Sequence, residues 1–266
     1  QKLPFDKNKH VHGHDDIVLV VIDDKTVEKY RWPWKRELNC KIFNYFLDYA
    51  KPKVVVHDAI IASLDNDNPD SDSKYFNTIS KFNNLAVGFM PQIQSWNDAD
   101  FGKYYDKKFI EKYSLNIENR TNFSSLLYSS INPFPDKYFN IVKYTGSVSM
   151  LPGFIDGNFS YGTDEVYRTA EYILYYKGSF LPSLSMQTFL IANNYPKAVV
   201  TDKSFEFPDL NYKIKHHKSH YQFVVPVKYY KMYPNGYSHK KYSAIDIMDS
   251  YDSILAGKKP KINPAD

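Results

Sequence analysis

From Ile17 to Ile22 the chain is unbroken apolar, Ile17-Val18-Leu19-Val20-Val21-Ile22, and it stops at Asp23-Asp24. A short polar segment leads to Arg31-Trp32-Pro33-Trp34-Lys35-Arg36. Here the period changes. Leu38, Ile42, Phe46 and Tyr49 recur at helical spacing, while Lys35, Lys41, Asn44 and Asp48 fall largely elsewhere. The pattern predicts an amphipathic helix that begins near Pro33, suited to the first turn, and ends at Lys51-Pro52. A second apolar run, Lys53-Val54-Val55-Val56, then stops at His57-Asp58. Two all-apolar strands joined by a helix are most simply parallel neighbours, buried on both faces, with a right-handed crossover. On that reading Asp23, Asp24 and Asp58 converge on one carboxyl edge, where open α/β sheets usually bind ligands.

The alternation continues. Asp72–Phe82 predicts a helix with Tyr75, Phe76, Ile79 and Phe82 as its apolar face, and Leu85–Met90 a third strand stopped by Pro91. Farther on, helices are expected at Lys107–Tyr113, Phe123–Ser130, Ser183–Asn193 (Leu184, Thr188 and Ile191 inward) and Ala244–Leu255, the last ended by Gly257. Strands are expected at Tyr138–Tyr144, Tyr167–Tyr176, Ala198–Thr201, Tyr212–Lys215 and Tyr221–Tyr229, with a loop at Asn132–Pro135. The expected class is α/β: a mainly parallel or mixed sheet flanked by helices, beginning βαβαβ, with a more antiparallel C-terminal half. Residues 1–16 read as a linker and 17–266 as a single domain.

Composition narrows the class. Apolar residues make up 43% of 266, enough for a sizeable core. The aromatic share of 17% is high, and it reads first as packing and second as an aromatic-lined pocket. The net charge of +4 is interspersed, which describes a solvated surface and argues against a nucleic-acid partner. The run Lys258-Lys259-Pro260-Lys261 would lie near anionic lipid if a membrane helix follows. A single cysteine, Cys40, excludes an internal disulfide framework and reads as a packed thiol. No apolar run approaches the length of a membrane span.

Candidate chemistry is sparse. Asp23, Asp24 and Asp58 could hold Arg31 or Arg36 in charge-assisted bonds, bind a ligand, or bind a divalent cation for hydrolysis, in that order of simplicity. Asp65-Asn66-Asp67-Asn68-Pro69-Asp70 resembles a calcium loop, but Pro69 and the missing glycine favour a turn and helix cap. His10, His12 and His14 read as linker, and His216, His217 and His220 as a solvated connection rather than metal ligands. Three Asn-x-Ser/Thr sequons, at Asn119, Asn122 and Asn158, matter only in a eukaryotic secretory host. There is no Walker loop, dinucleotide fingerprint, nucleophile elbow or His-Glu-x-x-His. No cofactor is expected.

Three blocks carry a resemblance. The stretch from Ile17 to Asp70 has a hydrophobic strand ending in Ile-Asp, then Arg-Trp-Pro-Trp, a helix, and a second strand ending in Asp before an acidic loop. Gly157–Ser185 contains Gly, then Asp164-x-x-x-Arg168, then Pro182-Ser183-Leu184. Tyr242–Met248 leads into a short helix. In this order the chain resembles the second-type CHASE domain, the cyclase/histidine-kinase-associated sensory extracellular domain. It departs from the family at His57, in the longer polar stretch 92–145, and at Asp266, where the family continues into a strand and membrane helices. The resemblance implies an extracytoplasmic (periplasmic or extracellular) sensor of a bacterial transmembrane receptor. It implies a cytoplasmic adenylate or guanylate cyclase as output, or else a histidine kinase or diguanylate cyclase. It further implies a homodimeric, membrane-tethered parent that answers a small-molecule or ionic signal. The rival reading is a metal-dependent hydrolase using the Asp cluster. If the chain is a sensor, the expected ligand-binding residues are Asp23, Asp24, Arg31, Trp32, Trp34, Arg36 and Asp58, with the indoles as an apolar wall and a small polar or cationic ligand. The corner could instead be a closed brace, with Arg31 and Arg36 neutralising the aspartates.

Overall fold

The computed structural model describes residues 15–61, 64–93, 114–115, 117–118, 128–132, 145–147, 169–176, 179–201, 204–215, 217–218, 222–226 and 238–265. In chain order the elements are β1 (Val18–Val21), α1 (Asp24–Tyr30), α2 (Glu37–Tyr45), β2 (Val55–Ile60), α3 (Pro69–Ile79), β3 (Leu85–Ile93), β4 (Ile117–Glu118), β5 (Tyr128–Asn132) and β6 (Thr145–Ser147). Then come β7 (Thr169–Tyr176), β8 (Ser179–Pro182), α4 (Leu184–Ala192), β9 (Ala198–Val200), β10 (Ser204–Phe207), β11 (Tyr212–Lys215), β12 (His217–Lys218), β13 (Gln222–Pro226), β14 (Lys240–Ser243) and α5 (Ala244–Leu255). The chain forms two compact units.

The first unit comprises Gln1–Pro52, Asp65–Lys81 and Lys228–Asp266. Its sheet is β1 beside β14, parallel, with Val18 opposite Lys240 and Val21 opposite Ser243. The sequence predicts β2 as the neighbour of β1, but the two lie in different sheets, so the expected parallel βαβαβ half-sheet does not form. β14 is Lys-Lys-Tyr-Ser, too polar to announce itself as a strand, and a parallel partner can come from anywhere along a chain. Burial on both faces is not found either: Val18 in β1 is 40% exposed and Val56 in β2 45%. The amphipathic stripe is found. Ile42 and Tyr45 are buried with Ala244, Ile245, Ile247 and Met248 of α5, and Leu38, Phe46 and Tyr49 pack against them. At roughly 1.5–3 kcal/mol for each buried side chain, this face holds α2 in place. The helix starts at Glu37 rather than Pro33, because α1 and a turn occupy what looked like a polar connection. It runs on as a π-helical turn, Phe46–Ala50, and ends where Lys51 takes a left-handed conformation before Pro52.

α3 begins at Pro69, three residues before the expected start, with proline in the first turn. Tyr75, Phe76 and Ile79 are buried, as their spacing predicts, and Phe43 of α2 meets Tyr75 edge-on at 5.9 Å. The acidic loop before α3 is a turn: Asp65 accepts the Asn68 backbone N–H at 3.1 Å. Cys40 is half-buried, and burial pushes its thiol up against the opposing hydrogen bond with Thr78.

The second unit comprises Lys53–Leu64 and Phe82–Val227. Among the described residues it holds three small sheets, in the orders β2-β3-β5 with β6 also on β3, β11-β10-β9-β4, and β12-β13-β7-β8. β2 and β3 are parallel, whereas β7 pairs antiparallel with β8 and β13, and β10 antiparallel with β9 and β11. Mixed α/β structure is therefore what the chain has, in several small sheets rather than one. β3 runs through Pro91 instead of stopping there. From Met90 onward β5 is its one partner among the described residues, so the missing N–H falls where β3 is an edge. Tyr128–Ser130, expected as the end of a helix, is strand β5. The core gathers Leu115, Ile117, Tyr172, Ile173, Phe180, Met186, Leu190, Ala198, Val200, Phe205 and Phe207. α4 is capped by Ser183, whose hydroxyl accepts the Met186 N–H at 3.2 Å. Ile191 of α4 is buried as expected, but Leu184 and Thr188 are half-buried, and Met186, Gln187 and Leu190 complete the inner face. The expected helix at 107–113, the strand at 138–144, the sequons, and His10, His12, His14, His216 and His220 lie outside the described residues.

Candidate functional site

Asp23 follows β1 and caps α1. In extended conformation its Oδ1 accepts the Thr26 N–H at 3.2 Å, the Thr26 hydroxyl at 2.8 Å and the Ser243 hydroxyl at 2.7 Å. Thr26 is fully buried, and its Oγ1 also accepts the Ile245 N–H at 3.3 Å. One carboxylate thus ties the start of α1 to the β14–α5 junction. Burial pushes the Asp23 carboxyl up, but the hydrogen bonds from Ser243 and Thr26 outweigh it and hold the group below its ordinary range. Sequence reading missed α1, although Asp23 before Asp24, with Lys29 in the last turn, is a capped-helix signal.

Asp24, the first residue of α1, is exposed. At the other end Arg31 donates its backbone N–H to Val27 O at 2.7 Å and lies at φ 58°, ψ 165°. That region is essentially glycine's alone and costs a side-chain-bearing residue about 1–3 kcal/mol. The Arg31 side chain is exposed, and Trp32 beside it is 60% exposed. Trp34 is half-buried against the α2–α5 core, with its ring 5.8 Å from Trp32 and 6.4 Å from Tyr30. The turn therefore has one anchored indole and one presented indole next to a strained arginine.

Arg36 does not join them. Its Nη1 sits 2.5 Å from Oδ1 of Asp72, a carboxylate only 1% exposed whose Oδ2 accepts the Asp65 N–H at 2.7 Å. Ser71 accepts the Glu37 N–H at 2.9 Å, and Lys74 pairs with Glu37 at 2.7 Å. Arg36 is a brace, but for Asp72 rather than for Asp23, Asp24 or Asp58. Nothing in the local pattern marked Asp72 as its partner, because the two meet only once α3 folds against α2.

Asp58 belongs to the second unit. It lies within β2, which continues to Ile60, and the register against β3 shifts across Asp58–Ala59. Its side chain is exposed. The common sheet edge that was expected to gather Asp23, Asp24 and Asp58 required β1 beside β2, a pairing the chain does not make. Among the described residues no three His, Cys, Asp or Glu side chains form a group able to hold a metal ion. Next to Asp58, burial holds the His57 imidazole down at about 4, so it is neutral at pH 7. The sign follows from linkage. Between about pH 4 and 6.5 the unfolded chain takes up a proton at His57 and the folded chain does not. Stability should fall by up to about 3 kcal/mol as pH drops through that window. Denaturant titrations of wild type and His57→Gln should diverge in slope only there.

Two comparisons, with curated proteins and with solved structures, gave no match. Comparison with family models gave one, to the CHASE2 domain over residues 3–264, which spans both units. CHASE2 domains are sensor domains rather than catalytic ones, and they form the extracellular part of membrane receptors. Among the described residues no helix is long and apolar enough to cross a membrane. The strand, Arg-Trp-Pro-Trp turn and amphipathic helix at the start of the first unit, with the Tyr242–Met248 junction that closes on them through Asp23, are among the described parts of the resemblance, and the chain belongs to the CHASE2 family of sensory domains of signalling receptors.

Proposed function

We propose that the chain is the periplasmic or extracellular input domain of a bacterial membrane receptor, tethered by flanking membrane helices, that acts as a homodimer and controls a cytoplasmic nucleotide cyclase. Family membership supports the sensory role, and cyclase output is the commonest arrangement the resemblance implies. We further assign signal recognition to the turn formed by Arg31 and Trp32, with Trp34 behind it. A small polar or ionic ligand suits a surface that offers a guanidinium beside an indole face. Asp23 and Arg36 are engaged inside the first unit instead, Oδ1 of Asp23 with Thr26 and Ser243 and Nη1 of Arg36 with Asp72.

The observation that carries the assignment is Arg31. A strained backbone held open to solvent adds nothing to the fold, and such strain recurs at binding sites. Arg31→Gly removes the side chain and the strain together. Its melting temperature is expected to equal or exceed that of wild type, and Trp32→Ala is expected to stay within about 0.5 kcal/mol. The test is a thermal-shift screen of the chain against small polar metabolites. A hit near 100-fold its Kd should stabilise the wild type by about 2.7 kcal/mol. That shift should vanish in both variants. A hit that stabilises all three chains equally places recognition elsewhere.

A further inference from the structure

The C-terminal end of α5 has a construction that signal recognition does not use. The helix closes with the Gly257 N–H on Ile254 O at 2.9 Å and the Lys258 N–H on Ser253 O at 2.8 Å. Gly257 stands at φ 68°, the left-handed position that this double-bonded ending requires. The chain then turns back along α5. Lys261 pairs with Asp246 at 2.8 Å, Ile262 donates its N–H to the Ser250 hydroxyl at 2.9 Å, and the Ile262 carbonyl accepts the Tyr45 hydroxyl at 3.0 Å. The tip between these anchors, Leu255 to Lys259, is exposed at every residue and fixed at both ends. Leu255 is 63% exposed, more than any other exposed large hydrophobic side chain described.

Charge separates this tip from the rest of α5. Three aspartates along the helix each hold a lysine: Asp246 holds Lys25 as well as Lys261, Asp249 holds Lys29 at 3.1 Å, and Asp252 holds Lys41 at 2.6 Å. Lys258 and Lys259 form no ion pair among the described residues. Cations are thus neutralised along the helix and left uncompensated at its end, beside a projecting leucine.

We propose that this tip docks on an anionic bilayer, with the Lys258 and Lys259 ammonium groups among lipid phosphates and Leu255 at the acyl boundary. Two ammonium groups and one aliphatic side chain on a convex helix end are far short of the roughly 1,000 Å² that a specific protein interface buries, so a protein partner is the weaker fit. They match the small additive contacts by which basic–apolar segments lie on anionic membranes. The proposal rests on the reading of the chain as part of a membrane receptor, but not on the Arg31–Trp32 corner.

The test is co-sedimentation of the whole chain with vesicles at low ionic strength, where surface attraction is least screened. Equimolar phosphatidylglycerol and phosphatidylcholine should retain the wild type, and phosphatidylcholine alone should not. Lys258→Gln with Lys259→Gln should weaken partitioning about 30-fold. Leu255→Ser should weaken it several-fold, whereas Lys53→Gln with Lys81→Gln, which removes the same charge elsewhere, should stay within about two-fold. Melting curves of the variants should match the wild type. Three results would overturn the proposal: no retention on anionic vesicles, equal loss in the control pair, or release by free glycerol phosphate at matched phosphate concentration. Each would do so without touching the thermal-shift result on signal recognition.

Discussion

Arg36→Met should be the most damaging of the substitutions considered, at about 3–5 kcal/mol, because it leaves the Asp72 carboxylate buried without its counter-charge. Asp72 is 1% exposed and cannot turn to water, and its remaining bond, from the Asp65 N–H, compensates only in part. For a domain of this size the loss lowers the melting temperature by about 10 °C. Arg36→Lys keeps a charge but loses the planar guanidinium, and should recover only part of the difference. The informative variant is the double substitution Arg36→Met with Asp72→Leu. A buried ion pair replaced by apolar groups of similar size is often neutral or better, so the double variant should regain most of the stability. A single variant as stable as wild type would show that the pair is solvated in solution.

Asp23→Ala comes next, at about 2–4 kcal/mol. Loss of the cap costs about 0.5–2 kcal/mol. The rest comes from the Ser243 and Thr26 hydroxyls, which are buried and lose their carboxylate acceptor. Asp23→Asn keeps a good cap and should lose much less. A double-mutant cycle with Ser243→Ala should give a coupling of about 0.5–3 kcal/mol, because the two side chains share one hydrogen bond. The pH dependence has a definite sign. With its folded pKa below the ordinary value, Asp23 contributes its full stabilisation above about pH 4 and loses it as pH falls further. Wild type should therefore lose its advantage over Asp23→Ala on the acid side alone. An advantage constant from pH 7 to pH 2 would mean that the carboxylate charge plays no part in the clasp.

How much of this was legible depended on whether a feature was local. α5 spans the predicted Ala244–Leu255, since helical spacing and Gly257 both act within a turn or two of the residues they order. The α2 stripe and the Tyr75, Phe76 and Ile79 face were legible for the same reason. Strand partners were not. The apolar run Ile17–Ile22 reads as a strand, but nothing in it names Lys240–Ser243 as its neighbour, and β14 alone lacks both alternation and apolar content. That one long-range pairing set β1 apart from β2 and removed the shared edge on which the three aspartates were expected to meet. Among the candidate residues, Asp23 kept a definite role because a helix cap is local, and Arg36 found one that is not. Arg31 and Trp32 were singled out by their neighbours in sequence, whereas the backbone strain that sharpens the assignment can only be seen in three dimensions.

The most direct test of signal recognition at this turn is the signalling output of the parent receptor in membranes, measured for wild type, Arg31→Gly and Trp32→Ala beside the melting temperatures of the corresponding chains. Both variants should melt with or above the wild type and yet no longer change their output under conditions that switch the wild-type receptor. Full switching in both variants, with the chains equally folded, would contradict recognition by Arg31 and Trp32.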